Sequence, residues 1–111
     1  MTDLDRAISF YSAVLGTPVQ KIDEHGFVFG LLPHDEDNVS GCLTLMEDRK
    51  PSQDGPLVYL NLEGRMNQAI DAALENHGML ISAKLQIGPY GHRAIVLDSE
   101  GNAIAFYSKE A

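Results

Sequence analysis

Four histidines, one cysteine and sixteen aspartates and glutamates are the side chains here that could ligate a cation or move a proton. A transition-metal site needs three or four nitrogen, oxygen or sulfur donors converging from rigid elements. The histidines do not cluster in that way along the chain. His25 and His34 adjoin glycine or proline at loop edges, and His77 falls in the last turn of an expected helix, where a surface cation suits the helix dipole. His92 opens an expected strand beside Tyr90 and Gly91 and is the histidine best placed at the mouth of a cavity. The run HDEDN is acidic, yet it lacks the twelve-residue spacing and distal bidentate glutamate of a calcium loop. It reads as a solvated hairpin loop. Cys42, between Gly41 and Leu43, has no basic neighbour to favour a thiolate and reads as a small buried apolar residue. Asn38 begins an Asn-Val-Ser glycosylation triplet, which matters only in a secreted chain.

These side chains must be held by elements that the apolar spacing defines. Leu4, Ala7, Ile8, Tyr11, Val14 and Leu15 recur at helical intervals, with Thr2 and Asp5 as a capping pair and Gly16 past the last turn. Strand character follows at Val19 to Ile22, in HGFVFGLLP and in GCLTLME. RKPSQDGP is a linker rich in turn formers. Beyond it come a strand, LVYLNLEG, and a helix, RMNQAIDAALENHG, ending at Gly78. Three more strands are expected, Leu80 to Ile87, His92 to Leu97 and Ala103 to Ser108, the last two joined by the turn DSEGN.

The two halves repeat. A shift of 62 positions lays Asp5 on Asn67, Ala7 on Ala69, Ile8 on Ile70 and Gly16 on Gly78. The second half reads strand, helix, three strands, whereas the first begins at its helix. The counterpart of Leu57 to Leu62 would fall before Met1, so the first strand of the first repeat is expected to be missing. An unpaired sheet edge of that kind invites pairing with another chain, and a homodimer is expected.

Composition narrows the function. A length of 111 residues suits a single domain, and 44% apolar content can build its core. A net charge of −8, with eight scattered lysines and arginines, argues against binding nucleic acid or anionic membranes. No apolar run is long enough to span a bilayer, no basic and apolar leader opens the chain, and one cysteine rules out an internal disulfide. A cytoplasmic location is expected.

The stretches DLDRAISFYSAVLG, LVYLNLEG leading to AIDAALENHG, and GHRAIVLDSEGNAIAF together resemble the vicinal oxygen chelate superfamily. It includes glyoxalase I, bleomycin-resistance proteins, fosfomycin-resistance enzymes and extradiol dioxygenases. The resemblance implies an α+β fold of two βαβββ modules, here 1–50 (without its first strand) and 56–111, whose curved mixed sheet surrounds a cavity. In the enzymes of the family, histidines and glutamates hold a divalent metal there, which stabilises an enediolate or oxyanion as a Lewis acid. Carried over position by position, that ligand set is lost. The glutamate expected four residues after Gly101 is Ala105, the histidine of the fifth strand falls at about Leu57, and the ligand near the end of GCLTLME falls at Thr44 or Leu45, with Glu47 just beyond. No metal or other cofactor is expected.

If Leu57 takes the inward position, Tyr59 and Asn61 point inward with it by the two-residue period of a strand, and Ala105 brings Tyr107. A pocket with Tyr59, Asn61 and Tyr107, and with His92 at its mouth, suits a small apolar or aromatic molecule. The expectation is therefore a metal-independent binding protein of the bleomycin-resistance type. The alternative is a metal-dependent lyase or dioxygenase with non-standard ligands such as His92 and Glu47, or ligands shared across a dimer.

Overall fold

A computed structural model describes residues 1–35, 40–46 and 49–110. Most of the HDEDN run, with Asn38, and also Glu47 lie outside the described residues. The elements follow in the order α1 (Leu4–Leu15), β1 (Gln20–Glu24), β2 (Phe27–Leu31), β3 (Cys42–Thr44), β4 (Val58–Asn61), α2 (Met66–Glu75), β5 (Met79–Gln86), a 3₁₀ turn (Gly88–Tyr90), β6 (His92–Leu97) and β7 (Ala103–Ser108). They form a mixed α+β fold with two sheets. β1, β2 and β3 make an antiparallel sheet in that order, while the second runs β4-β7-β6-β5, with β4 parallel to β7 and the other pairs antiparallel.

The helix ends show local chemistry at work and two departures from the sequence reading. Asp3, not Thr2, caps α1: its backbone is extended and its carboxylate accepts from the Arg6 amide at 3.0 Å. Thr2 is diverted, because its own amide donates across the molecule to Glu100 at 2.9 Å. At the other end Gly16 takes the left-handed conformation, and a Cβ there would lie 2.6 Å from the Arg65 guanidinium. α2 ends at Glu75, short of the expected Gly78, and the left-handed residue past it is His77, with φ 73°. Gly78 is required by crowding instead, since a Cβ would come within 2.7 Å of the Ala73 carbonyl and 2.8 Å of the Phe10 ring.

One apolar cluster joins the halves, with Phe10 and Val14 of α1, Leu62, Ala69 and Ala73 around α2, and Val96 and Phe106 of the second sheet. Strand alternation then decides what faces away from it. In β7, Ile104, Phe106 and Ser108 are buried on the core side, leaving Ala103, Ala105 and Tyr107 on the other face. β4 pairs Leu60 with Phe106, so Tyr59 and Asn61 join that other face. Cys42 is a correction: it is exposed, because β3 turns Leu43 into the core and its neighbours outward.

The two sheets end differently along their central edge. Leu62, just past β4, donates to the Tyr107 carbonyl at 2.7 Å, beside the full parallel ladder of β4 on β7. On β3 the Met1 amino group donates to the Thr44 carbonyl at 2.7 Å, and the only strand that β3 pairs with among the described residues is β2.

Candidate functional site

Polar groups gather in two places. The first is where α1 meets the β6–β7 turn. Asp98, 2% exposed, accepts from the Tyr11 hydroxyl at 2.6 Å, from the amides of Glu100 and Asn102 at 2.8 and 2.9 Å, and from the Asn102 side chain at 3.1 Å. Glu100 accepts from the amides of Thr2 and Asp3, from Arg6 Nε at 2.7 Å and from Ser99. Burial pushes the Glu100 carboxyl up, but the Arg6 bond, the Asp3 and Thr2 amides and Ser99 together outweigh it and hold the group down at about 2. Burial, first, and the Asp98 carboxylate, second, push the Tyr11 phenol far above its ordinary value. Both carboxylates are saturated with donors from the protein itself. The motifs DLDRA and DSEGN thus form a brace that ties the first helix to the last hairpin.

The second place is the face of the β4-β7-β6-β5 sheet turned away from the core. Tyr59 lies opposite Ala105, and Asn61 opposite Tyr107. Across β7, Arg93 lies opposite Tyr107 and Ile95 opposite Ala105. Arg93 reaches over β7 and donates from Nη1 to the Tyr59 hydroxyl at 3.2 Å. On β7 between them, Tyr107 lies opposite Arg93, and Ala105, opposite Tyr59, is fully buried. The Tyr107 hydroxyl donates to the Tyr90 carbonyl and so holds the 3₁₀ turn against this face. Asn61 accepts from the Glu63 amide at 3.2 Å. Arg93 Nε is buried and has no partner.

Of the four residues expected from the sequence, the structure therefore brings Tyr59, Asn61 and Tyr107 to one face. His92 is not with them. It pairs with Ser108 and so lies on the core side of β6, one residue out of phase with Arg93; its Nδ1 is buried without a partner. Arg93 was missed. The available signal was an arginine in the run HRAIVL, where its own strand face otherwise carries Ile95 and Leu97.

The face is open rather than enclosed, with Tyr59 48% exposed. A separate cleft of about 490 Å³ opens between β3 and β4, lined by Tyr11, Leu43, Val58, Leu60 and Ile104, with Lys50 among its polar groups. None of the four expected residues lines it. Its walls on β4 and β7 are mainly Val58, Leu60 and Ile104, on the opposite side of the sheet from Tyr59 and Ala105.

The residues present do not fit the metal that the resemblance implies. The glutamate position is the buried Ala105 methyl, and Leu57 offers only hydrocarbon. Among the described residues, no three histidine, cysteine, aspartate or glutamate side chains gather to hold an ion.

A family model described as Glyoxalase/Bleomycin resistance protein/Dioxygenase superfamily matches residues 1–106. No curated protein matches the sequence. Solved structures do resemble it. A glyoxalase/bleomycin resistance protein from Albidiferax ferrireducens T118 superposes with a TM-score of 0.74 at 16% identity, over 97% of this chain and 91% of that one. A glyoxalase/bleomycin resistance protein/dioxygenase family enzyme from Burkholderia phytofirmans PsJN gives 0.70 at 18%, over 98% and 92%. A fosfomycin resistance protein from Listeria monocytogenes gives 0.67 at 8%, over 97% and 85%. At these identities the likeness establishes the fold.

Proposed function

The chain belongs to the Glyoxalase/Bleomycin resistance protein/Dioxygenase superfamily, and within it we propose that it binds a small apolar or aromatic molecule without a metal and without turning it over. One observation carries this reading. At the position where the resemblance expects a metal-ligating glutamate stands the buried methyl of Ala105, opposite Tyr59 on the strand over which Tyr59 and Arg93 meet. A surface of two phenols, an amide and a guanidinium over aliphatic neighbours suits recognition of a small molecule through apolar contact and hydrogen bonds.

The working unit in this reading is a homodimer in the cytoplasm. β3, which among the described residues pairs with no strand but β2, and the exposed Phe27, Leu45 and Met46 near it supply the surface for a second copy. Sedimentation at micromolar concentration is expected to show two copies, and a monomer throughout overturns that part.

The binding reading is tested by a thermal-shift screen of aromatic compounds run in parallel with and without EDTA. Hits that raise the melting temperature equally in both arms support it. Stabilisation that appears only with added Zn²⁺, Ni²⁺, Mn²⁺ or Fe²⁺ overturns it.

A further inference from the structure

Resting on that reading, we propose that the Tyr59–Arg93 face selects anions: its ligand carries a carboxylate, and the guanidinium of Arg93 supplies the positive charge at this place.

Arg93, Tyr59 and Asn61 keep donors free on the face, while the Tyr107 oxygen, whose proton goes to Tyr90, can still accept. Arg93 has spent one Nη1–H on Tyr59, and its buried Nε–H has no acceptor. Because the Tyr59 oxygen already accepts from Arg93, the free role of that hydroxyl is to donate. Asn61 has used its carbonyl oxygen to accept from the Glu63 amide, which leaves its NH₂. The acidic group nearest in sequence, Glu63, is turned to other work, accepting from the amides of Lys109 and Glu110 at 2.6 and 3.2 Å. Among the described residues Arg93 makes no ion pair, in a chain whose net charge is −8.

A buried N–H without an acceptor is uncommon and calls for an explanation. A planar carboxylate provides one. Its two oxygens match the fork formed by Nε and Nη2 of Arg93, the edge of the guanidinium that Tyr59, bonded at Nη1, leaves unused. A neutral amide supplies one oxygen to that fork and sets its own N–H groups against donors. The preference is therefore built from geometry as well as charge.

The test uses the full chain, treated with EDTA, and a matched pair of probes, naphthalene-2-carboxylate and naphthalene-2-carboxamide, in isothermal titration calorimetry. The carboxylate is expected to bind at least about tenfold more tightly, a difference worth about 1.4 kcal/mol. Arg93→Gln is expected to erase that ratio while leaving weak binding of both probes, and Arg93→Lys to restore only part of it. In the unaltered protein, the Arg93 Nε–H resonance is expected to shift when the carboxylate is added and to stay in place with the carboxamide. Equal affinity for the two probes, or a preference that survives Arg93→Gln, overturns the anion selectivity and leaves the binding reading standing. Absence of binding by both probes overturns the two together.

Discussion

The brace at the β6–β7 turn and the face above Ala105 are both built from tyrosine, arginine and polar partners, yet they are opposites. In the brace the Asp98 and Glu100 carboxylates meet donors from the protein on every side. On the face, Arg93 Nε is buried and unanswered and Tyr59 is half exposed. The brace ties together segments nearly a hundred residues apart and holds no capacity in reserve. The face keeps donors free. Saturation marks a polar cluster as structural, and leftover capacity marks one that can recognise something from outside.

That contrast can be broken most forcefully at Asp98. Asp98→Ala strands the Tyr11 hydroxyl and the amides of Glu100 and Asn102. At about 1–3 kcal/mol for each buried group left unsatisfied, a loss of at least about 3 kcal/mol is expected in urea unfolding. Tyr11→Phe removes one of those bonds and is expected to cost about 1–3 kcal/mol, with the turn intact.

The third effect is read in acid. The folded carboxyl of Glu100 sits at about 2 against 4.5 when free, so the unfolded chain takes up its proton first. Its stabilising contribution is complete above about pH 5 and declines as the pH falls towards 2. Glu100→Gln is expected to flatten that limb of the stability curve, and an unchanged acid profile would show that the carboxylate is not held as described. The smallest expected effect on stability belongs to the face: Arg93→Gln should leave the melting temperature nearly unaltered, within about 0.5 kcal/mol, because it breaks only a half-exposed bond to Tyr59. A large loss there would place Arg93 with the brace and erase the distinction.

Much of the fold was legible along the chain. β6 and β7 fall at the expected residues, and α1 within two of its expected start. The face parity of Tyr59 and Asn61, and of Ala105 and Tyr107, follows from a two-residue period that any strand obeys. Cys42 escaped that logic because whether an alternating residue is buried depends on what packs against its side of the sheet. His92 opens β6 as expected, but which face the first residue takes follows from the pairing with Ser108 and not from its place in the run.

The sequence by itself determined the element types and their order, because both are written in local spacing and residue identity. Only the tertiary structure decided that Arg93 meets Tyr59. They are 34 residues apart, on strands that do not touch, and the meeting depends on β7 lying between β4 and β6. Strand order is settled by long-range burial of the opposite face, which no local pattern encodes.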